Sequence, residues 1–407
     1  MALTDRQVSG TTPWPAALEQ AQSVGRALSR SGIKRVALAA ADGHVLAADA
    51  KALVALPPFA SSAMDGWAVA GAGPWRVVGK VLAGQSRGEP LSAGEAVAIA
   101  TGAAVPSGTA AILRREHGVA SAGRLQVSAP DAAGPAPGTD VRPAGQEAAA
   151  DDVLLPAGTR LNPAAIGLLA AAGHDELAVR PHPRVAVLVL GDELLESGRP
   201  AGGRIRDALG PQLPLWLSRA GCEVISLTRV ADTAGALRAA LAAAIAAAVD
   251  LIVTTGSTAA GPADHLHGQL RAAGAEVVVD GVAVRPGHPM LLALHPGADG
   301  LPGGAIPLVG LPGNPLGALA GLATLVLPLL AGLVGEQPSE RRFLIAGQAL
   351  PGRGAHTLLP GRPAAADGSF VAAGWGSPHM LRGAAAATGF GVVLAHGVRQ
   401  GEPLRWL

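Results

Sequence analysis

The sequence predicts a multidomain α/β protein, in which a central, mostly parallel sheet carries helices on both faces and is joined by two smaller β domains. Three observations lead to this prediction. The chain has 407 residues, more than one compact core usually holds. Between residues 184 and 334, short apolar strands alternate with helical segments at the spacing of βαβ units. Elsewhere, short strand-like pieces follow one another with glycine and proline between them.

The pattern divides the chain into four domains. The clearest linker is Pro181-His182-Pro183, after which the character of the sequence changes. Earlier in the chain, apolar positions at helical spacing predict a helix over residues 15–30, and Asn162-Pro163 is a typical start for a second helix. The predicted domains are a mixed α/β linker domain of residues 1–53 and 142–180, an inserted β domain of residues 54–141, a central α/β domain of residues 181–335 and a C-terminal β domain of residues 336–407.

The central domain carries the strongest secondary-structure signals. Apolar runs predict strands over residues 184–190, 222–228, 251–255, 277–284 and 306–311. Helices are predicted over residues 205–221, broken by Pro211 and Pro214, and over residues 234–249, 266–273 and 316–334. The last helix is long and uncharged enough to span a membrane, but it begins in a Gly-Pro loop and contains Pro328. We therefore expect a helix buried in a soluble protein, with no membrane partner.

Composition excludes several classes of function. The formal net charge is only +1, and no basic run interleaved with aromatic residues is present, which argues against a nucleic-acid partner. Cys222 is the single cysteine, so disulfides and thiolate metal clusters within one chain are excluded. The first 15 residues lack the charged start and apolar core of a secretory signal. Together these features predict a cytoplasmic protein.

Three loops with glycines follow predicted strands of the central domain: GDELLESG, TTGSTAAGPADHL and GLPGNPLGAL. Open α/β sheets bind ligands at the carboxyl ends of their strands. Gly310 and Gly313 let the backbone approach a ligand closely, and Asn314-Pro315 begins a helix whose free amides favour an anion. One such loop alone could be an ordinary strand-to-helix turn, but three predict a phosphate-bearing ligand. Neither a dinucleotide-binding GxGxxG motif nor a P-loop is present.

Asp65 stands before Gly66 in the segment LPPFASSAMDGWAV, and its role is open from the residues alone. An aspartate before glycine commonly caps a turn, and a functional carboxylate is the alternative.

The motifs taken together resemble the molybdopterin molybdenumtransferases, the bacterial MoeA-type enzymes that are related to the gephyrin E domain. The blocks that carry the resemblance occur in the family's order over nearly the whole chain: LPPFASSAMDGWAV, IATGAAVPSG, the region from VRPAG to IGLLAAAG, GDEL, TTGSTAAGPAD, VRPGHP and GLPGNP. The resemblance implies a homodimer of four-domain chains with a molybdopterin-binding central domain. It also implies insertion of molybdate into adenylated molybdopterin with Mg²⁺-dependent release of AMP. The implied partners are a molybdopterin adenylyltransferase and recipient molybdoenzymes.

The resemblance also implies roles for individual residues. The Mg²⁺ and catalytic carboxylates would be Asp65, Glu147 and Asp264, with Asp65 reaching the cleft from the partner subunit and Thr101 supplying a hydroxyl. Positive charge for molybdate would come from Arg285, His288 and Arg382. The remaining residues implied to bind the molybdopterin substrate are Gly256, Ser257, Gly261, Gly310, Gly313 and Asn314.

Several positions depart from the family's usual pattern. Ala60 and Ser61 replace an Asp-Asn pair, and Glu147 replaces an aspartate. The usual lysines of the KPGKP motif are Arg285 and His288 here, and arginine binds an oxyanion as a fork where lysine is a point charge. These changes keep open an alternative from another class, a catalytically weak or inactive paralogue that holds molybdopterin as a scaffold or carrier.

Overall fold

A computed structural model describes residues 11–29, 32–128, 133–256, 258, 265–296, 304–338 and 340–407. Within the described residues, the central sheet of the protein has six strands. Across the sheet the strands are, in order, Glu223–Val230, Arg184–Leu190, Leu251–Thr255, Ile306–Leu311, Leu291–His295 and Glu276–Asp280. The first four run parallel, and the last two form an antiparallel edge. The predicted mostly parallel sheet is confirmed.

Helices cover both faces of the central sheet, which explains why the residues of its inner parallel strands are buried on both faces. In the strand Arg184–Leu190, Val185, Val187 and Val189 pack into one core cluster. The residues between them point to the opposite face and belong to a second cluster. The first face is covered by Trp14–Ala27, Leu213–Arg219, Pro315–Gly321 and Leu327–Leu333, and the second by Ala234–Ala246 and His265–Ala272.

One helical stretch, Pro315–Leu333, is long and apolar enough to cross a membrane by length and composition, and 78% of its apolar window is buried inside the protein. It contains a π-helical segment, Leu322–Val326, between its two α-helical parts. Trp14 donates its indole N–H to Thr324 Oγ1 at 3.0 Å within this stretch. The expectation of a buried core helix agrees with this packing.

The segment after residue 65 folds as a six-stranded sheet without an intervening α-helix. Its strands, in order across the sheet, are Ala111–Arg114, Gly66–Val69, Glu95–Ile99, Trp75–Val81, Arg124–Val127 and Gly118–Ser121. Short two-stranded ladders connect the segments on either side of it: Lys34–Ala37 with Glu176–Val179, Ala50–Lys51 with Val153–Leu155, and Ser61–Ser62 with Val141–Arg142. The helix Pro163–Ala171 begins as predicted, because Asn162 accepts a hydrogen bond from the Ala165 amide at 2.9 Å.

The C-terminal residues form a seven-stranded sheet that also recruits strands from two earlier parts of the chain. Its members are Thr12–Pro13, Val282–Arg285, His356–Pro363, Gly389–Val393, Pro403–Trp406, Arg342–Ile345 and Phe370–Ala372. A further ladder joins Leu350–Pro351 to Gly397–Val398, and the short helix Arg382–Ala386 packs against the strand His356–Pro363.

Two predictions about the central domain were wrong. The strand predicted over residues 277–284 is two strands, because Gly281 turns the backbone at a φ of +77° and sends Val282–Arg285 into the C-terminal sheet. The helix predicted over residues 205–221 is confined to Leu213–Arg219. Ile205–Arg206 instead pairs with Leu194–Leu195 in a short parallel ladder. We propose the predicted four-domain division, although the C-terminal sheet also includes Thr12–Pro13 and Val282–Arg285.

The first helix and the helix Leu327–Leu333 approach so closely that glycine is required at their contact. A Cβ on Gly25 would lie 2.1 Å from the Leu329 carbonyl oxygen and 2.9 Å from the Gly332 Cα. We expect Gly25→Ala to lower the free energy of unfolding by about 2 kcal/mol or more, because a buried backbone cannot yield as a flexible side chain can. The midpoint of chemical denaturation would measure this.

Gly167 provides the matched control, because a Cβ there meets no atom within 4 Å and the residue lies in the helix Pro163–Ala171. Gly167→Ala should raise the stability by roughly 0.5–1 kcal/mol. Equal effects of the two substitutions would contradict the close helix contact.

Candidate active site

A cavity of about 800 Å³, here called the strand-end cavity, opens at the carboxyl ends of the central parallel strands. Its walls include the loops that follow the strands Arg184–Leu190, Leu251–Thr255 and Ile306–Leu311. These are the three loops that the sequence singled out. Each contributes lining residues: Gly191 and Glu193, Gly256 and Thr258, and Gly313 and Asn314. The predicted meeting of the strand ends at one edge of the sheet is confirmed.

Gly256 is held in a backbone conformation that favours glycine. Its φ is +81°, and a Cβ there would lie 3.2 Å from the Leu190 carbonyl oxygen. The Gly256 amide donates to the Leu311 carbonyl at 2.9 Å and thereby ties the second loop to the third. Gly313 lies beside it, since a Cβ on Gly313 would be 3.6 Å from the Gly256 Cα. This wall therefore presents backbone to a ligand.

Gly310 differs from the other two glycines. It is buried inside the strand Ile306–Leu311 and does not line the strand-end cavity. A Cβ on Gly310 would lie 2.9 Å from Thr258 Cγ2 and 3.0 Å from Leu266 Cδ2. Its absent side chain thus lets the second loop and the helix His265–Ala272 pack against the strand.

The free helix amides that the sequence predicted after Asn314 are not free, and this part of the prediction was wrong. The amides of Leu316 and Gly317 donate to the Pro378 carbonyl at 2.9 and 3.3 Å. The Ala318 amide donates to the Asn314 carbonyl at 2.8 Å, and the Asn314 side chain forms no cap. A carbonyl from the C-terminal domain thus occupies the position expected for an anion.

Asp207 lines the strand-end cavity and was missed by the sequence interpretation, which placed it in a helix. Its side chain is buried, and its Oδ1 accepts hydrogen bonds from the Leu209 and Gly210 amides, both at 2.9 Å. Its Oδ2 lies 2.8 Å from Arg229 Nη1 in an ion pair. This carboxylate therefore fixes the shape of the wall. An aspartate three residues before the Gly210-Pro211 step was the available signal.

Asp65 and Thr101, far apart in sequence, are in contact. The Thr101 amide donates to Asp65 Oδ1 at 2.8 Å and the Thr101 hydroxyl at 2.9 Å. These two donors, the amide first, lower the pKa of Asp65, and the charge of Arg115 adds to the effect. Asp65 is exposed. The side chain bridges to a second loop, as a positioned carboxylate does, and remains ionised at neutral pH.

Glu147 lies in the region that forms main-chain contacts with the segment before Asp65. The Glu147 amide donates to the Leu56 carbonyl at 2.8 Å, and the Ser61–Ser62 strand pairs with Val141–Arg142. The Glu147 carboxylate is exposed. No residue of positions 11–180 in the described chain lines the strand-end cavity, so Asp65, Thr101 and Glu147 stand apart from it.

Of the three residues proposed for molybdate, His288 and Arg382 lie on segments next to the cavity wall. Pro289 and Leu381, which line the strand-end cavity, directly adjoin His288 and Arg382 in sequence. His288 donates from Nδ1 to the Val282 carbonyl at 2.8 Å, which directs Nε2 away from that bond. Arg285 is exposed at the end of its strand.

Arg382 stacks over Trp375, with its guanidinium carbon 4.7 Å from the ring centroid. His379, on the same segment, also lines the strand-end cavity and was not predicted. The predicted residues Ser257, Gly261 and Asp264 lie outside the described residues. Within the described ranges, no group of three histidine, cysteine, aspartate or glutamate side chains is placed to hold a metal ion.

Two family models together match most of the chain. Residues 15–173 match the family model of the MoeA N-terminal region (domain I and II). Residues 186–332 match the model described as a probable molybdopterin binding domain.

Curated relatives show the same similarity over longer alignments. The molybdopterin molybdenumtransferase of Synechococcus elongatus is 34% identical over 313 residues, which cover 73% of this chain and 75% of the relative. The protein of the same name from Haemophilus influenzae is 33% identical over 304 residues, covering 73% and 72%.

Solved structures agree with the fold. A molybdopterin biosynthesis MoeA protein from Pyrococcus horikoshii OT3 superimposes with a TM-score of 0.78 at 21% identity, covering 98% of this chain and 99% of the other. Another crystal structure, of a molybdopterin biosynthesis MoeA protein from Pyrococcus horikosii, gives a TM-score of 0.71 at 26% identity, covering 98% of each chain.

Replacing Thr101 with valine removes the hydroxyl donor and keeps the amide. We expect the pKa of Asp65 to rise only part of the way to its usual value, because the amide is the larger cause of the lowering. A carbon-13 NMR titration of labelled aspartate carboxyls, assigned with Asp65→Asn, would measure the change.

Thr109→Val is the control for this titration. The Thr109 hydroxyl donates to the Pro106 carbonyl at 2.7 Å, so its loss should leave the Asp65 titration unchanged. An unaltered pKa in Thr101→Val would contradict the proposed bridge.

Proposed function

Because the chain belongs to the molybdopterin molybdenumtransferase family, we propose that it inserts molybdate into adenylated molybdopterin and releases AMP during molybdenum cofactor biosynthesis. The observation that carries this proposal is the strand-end cavity, most of whose lining residues lie in the part of the chain that matches the molybdopterin-binding family model. Its backbone-lined wall at Gly256 and Gly313 suits a ligand with a bulky phosphorylated body. We assign the pterin end of the substrate to this wall and to Asn314.

We propose that the acidic residues hold Mg²⁺. Exposed carboxylates are the oxygen ligands that this hard cation prefers, and Asp65 is kept ionised by the Thr101 donors. Glu147 and Asp264 complete the predicted set. When bound, Mg²⁺ would offset negative charge on the substrate's phosphate oxygens. Asp65 then serves to hold the ion in place, while Thr101 positions Asp65.

The separation between these carboxylates and the cavity supports a homodimeric site. Asp65, Thr101 and Glu147 lie on segments that supply no lining residue to the strand-end cavity of their own chain. Two-fold symmetry would place the same segments of one chain over the cavity of the other and would form two equivalent composite sites. We therefore propose that Asp65 of the partner subunit meets Asp264 of the cavity loop.

Molybdate is a dianion, and the cationic segments beside the cavity suit it. Arg285 supplies a permanent positive charge with paired N–H donors, and Arg382 supplies a second. His288 uses Nδ1 in its bond to Val282, so Nε2 is the atom that it would turn to the substrate. These residues would hold the molybdate ion beside the dithiolene sulfurs of molybdopterin, which are the atoms that would bind the molybdenum.

We propose the cytoplasm as the site of this reaction. The single cysteine, Cys222, is a buried free thiol, and burial raises its pKa to about 12. A chain with one inert thiol suits a reducing compartment. The proposed partners are the adenylyltransferase that supplies the substrate and the enzymes that receive the finished cofactor.

The purified protein should release AMP from adenylated molybdopterin only when both Mg²⁺ and molybdate are present. Chelation of Mg²⁺ should stop AMP release while leaving the pterin bound, because the cavity wall does not depend on the ion. Chromatographic detection of AMP, with pterin fluorescence for binding, gives both readings. Tight pterin binding without AMP in complete mixtures would instead establish the carrier alternative.

Mixed dimers test the composite site directly. Asp65→Asn and Asp264→Asn homodimers should both be inactive, whereas a heterodimer of the two variants should regain about half of the wild-type turnover, because one of its two sites contains only wild-type residues. Differently tagged chains, co-expressed and purified in tandem, provide the heterodimer. An inactive heterodimer would place Asp65 and Asp264 in one site of the same chain.

A further inference from the structure

A second and larger cleft, about 1220 Å³, lies among the first helix, the Pro315–Leu333 helix and the C-terminal sheet. Among the described residues, none lines both this cleft and the strand-end cavity. Its floor is mostly apolar, and the aromatic residue at the base is Trp14, which is 2% exposed. Leu322, Phe390 and Leu407 extend the apolar surface. We call this feature the arginine cleft, for the residues that line its rim.

The charges around the arginine cleft are unbalanced. Arg160 is paired with Glu336 through contacts of 2.9 and 2.6 Å and is thereby neutralised. The other arginines on the lining are Arg219, Arg341 and Arg405, and none of them forms an ion pair with a carboxylate in the described part of the chain. Only Glu19 remains to oppose them among the described lining residues. The cleft therefore carries an excess of positive charge.

Arg405 is the best placed of these cations to receive an anion. Its guanidinium carbon lies 5.3 Å from the centroid of the Trp14 ring, and the side chain is half-buried. Stacking on an aromatic ring orients the guanidinium plane and leaves its N–H edges available. Burial, and then the charge of Arg341, lower the pKa of Arg405. An arriving anion would relieve both the lost hydration and the repulsion between the two arginines.

His356 also lies beside the same tryptophan, with its ring centroid 5.5 Å from that of Trp14. Burial, and then the charge of His396, lower the pKa of His356, so this imidazole is neutral at physiological pH and presents a flat surface. The cleft thus combines a cationic rim with an aromatic and aliphatic floor. Its volume exceeds the range of roughly 300–1,000 Å³ that is typical of pockets for drug-sized molecules, so such a molecule has room to enter.

We propose that the arginine cleft binds an amphipathic organic anion, whose acidic group pairs with Arg405 and Arg341 and whose apolar body lies on the floor beside Trp14. The acidic group can be a carboxylate, sulfonate or phosphate, because each offers oxygen atoms at the spacing of the guanidinium fork. This site is independent of the strand-end cavity and of the function proposed for it.

The probe for this site is 8-anilinonaphthalene-1-sulfonate, which joins a sulfonate to apolar rings and fluoresces when it leaves water. The native full-length protein should bind one molecule per chain saturably, with energy transfer from the tryptophans of the cleft. Arg405→Gln and Arg341→Gln should each weaken binding about tenfold or more, because each removes a charge-assisted hydrogen bond. Arg405→Lys keeps the positive charge but loses the paired N–H donors of the guanidinium. Its affinity for the probe should therefore lie between those of the wild type and Arg405→Gln.

Two controls keep the test specific. Arg362→Gln changes an exposed arginine of the same C-terminal sheet outside the cleft and should leave binding unchanged. Ala387→Trp places a large side chain in the cleft and should abolish binding without touching an arginine. Thermal unfolding of each variant confirms that it is folded. N-phenyl-1-naphthylamine, which lacks the sulfonate, should bind the wild type and the arginine variants equally.

Three results would overturn the proposal. The first is the absence of saturable binding to the folded wild-type protein. The second is binding to Arg405→Gln and Arg341→Gln that is as tight as binding to Arg362→Gln. The third is binding that survives Ala387→Trp, since the probe would then occupy a different surface.

Discussion

The structure depends on the burial of four parallel strands between two layers of helices. Every residue from Val185 to Leu190 is buried, and alternate side chains enter different core clusters. A strand that is apolar on both faces has no exposed face, so it is stable only when helices cover both sides. This arrangement aligns the carboxyl ends of the strands. The loops that carry the chemistry are then obliged to meet at one edge of the sheet.

The second constraint on the structure is the close approach of backbone segments, which requires glycine. It is found at the strand-end cavity and also between two helices far from it. At the site, Gly256 and Gly313 bring two loops together without side chains between them. Far from it, Gly25 and Gly332 allow the first helix to contact the helix Leu327–Leu333 through their backbones. The same N-terminal segment pairs with Val282–Arg285, so the segment that carries the proposed molybdate-binding Arg285 is fixed between the central and C-terminal domains.

Electrostatics separates the two cavities. The strand-end cavity contains a buried carboxylate, Asp207. It forms an ion pair with Arg229 and accepts hydrogen bonds from two backbone amides. The arginine cleft has the opposite character, because Arg405 stacks on Trp14 with no carboxylate partner in the described residues. In the strand-end cavity, Asp207 is paired within the protein and holds the wall in place. In the arginine cleft, the acidic group of a ligand would pair with Arg405.

The sequence alone determined the elements whose signal is local. Hydrophobic periodicity located the strands Arg184–Leu190 and Ile306–Leu311, and the Asn162-Pro163 start located a helix, because burial and capping leave marks in neighbouring residues. The order of the motifs also predicted the family, and through it the residues of the proposed site.

Only the tertiary structure decided which distant groups meet. Nothing near Asp65 in sequence indicates that Thr101 hydrogen-bonds to it, and nothing near Leu316 indicates that the Pro378 carbonyl takes its amide. The assignment of Val282–Arg285 to another sheet followed from a turn at Gly281 and a partner strand more than 70 residues later. Local patterns record burial and backbone preference, whereas contacts between remote segments depend on how the domains pack.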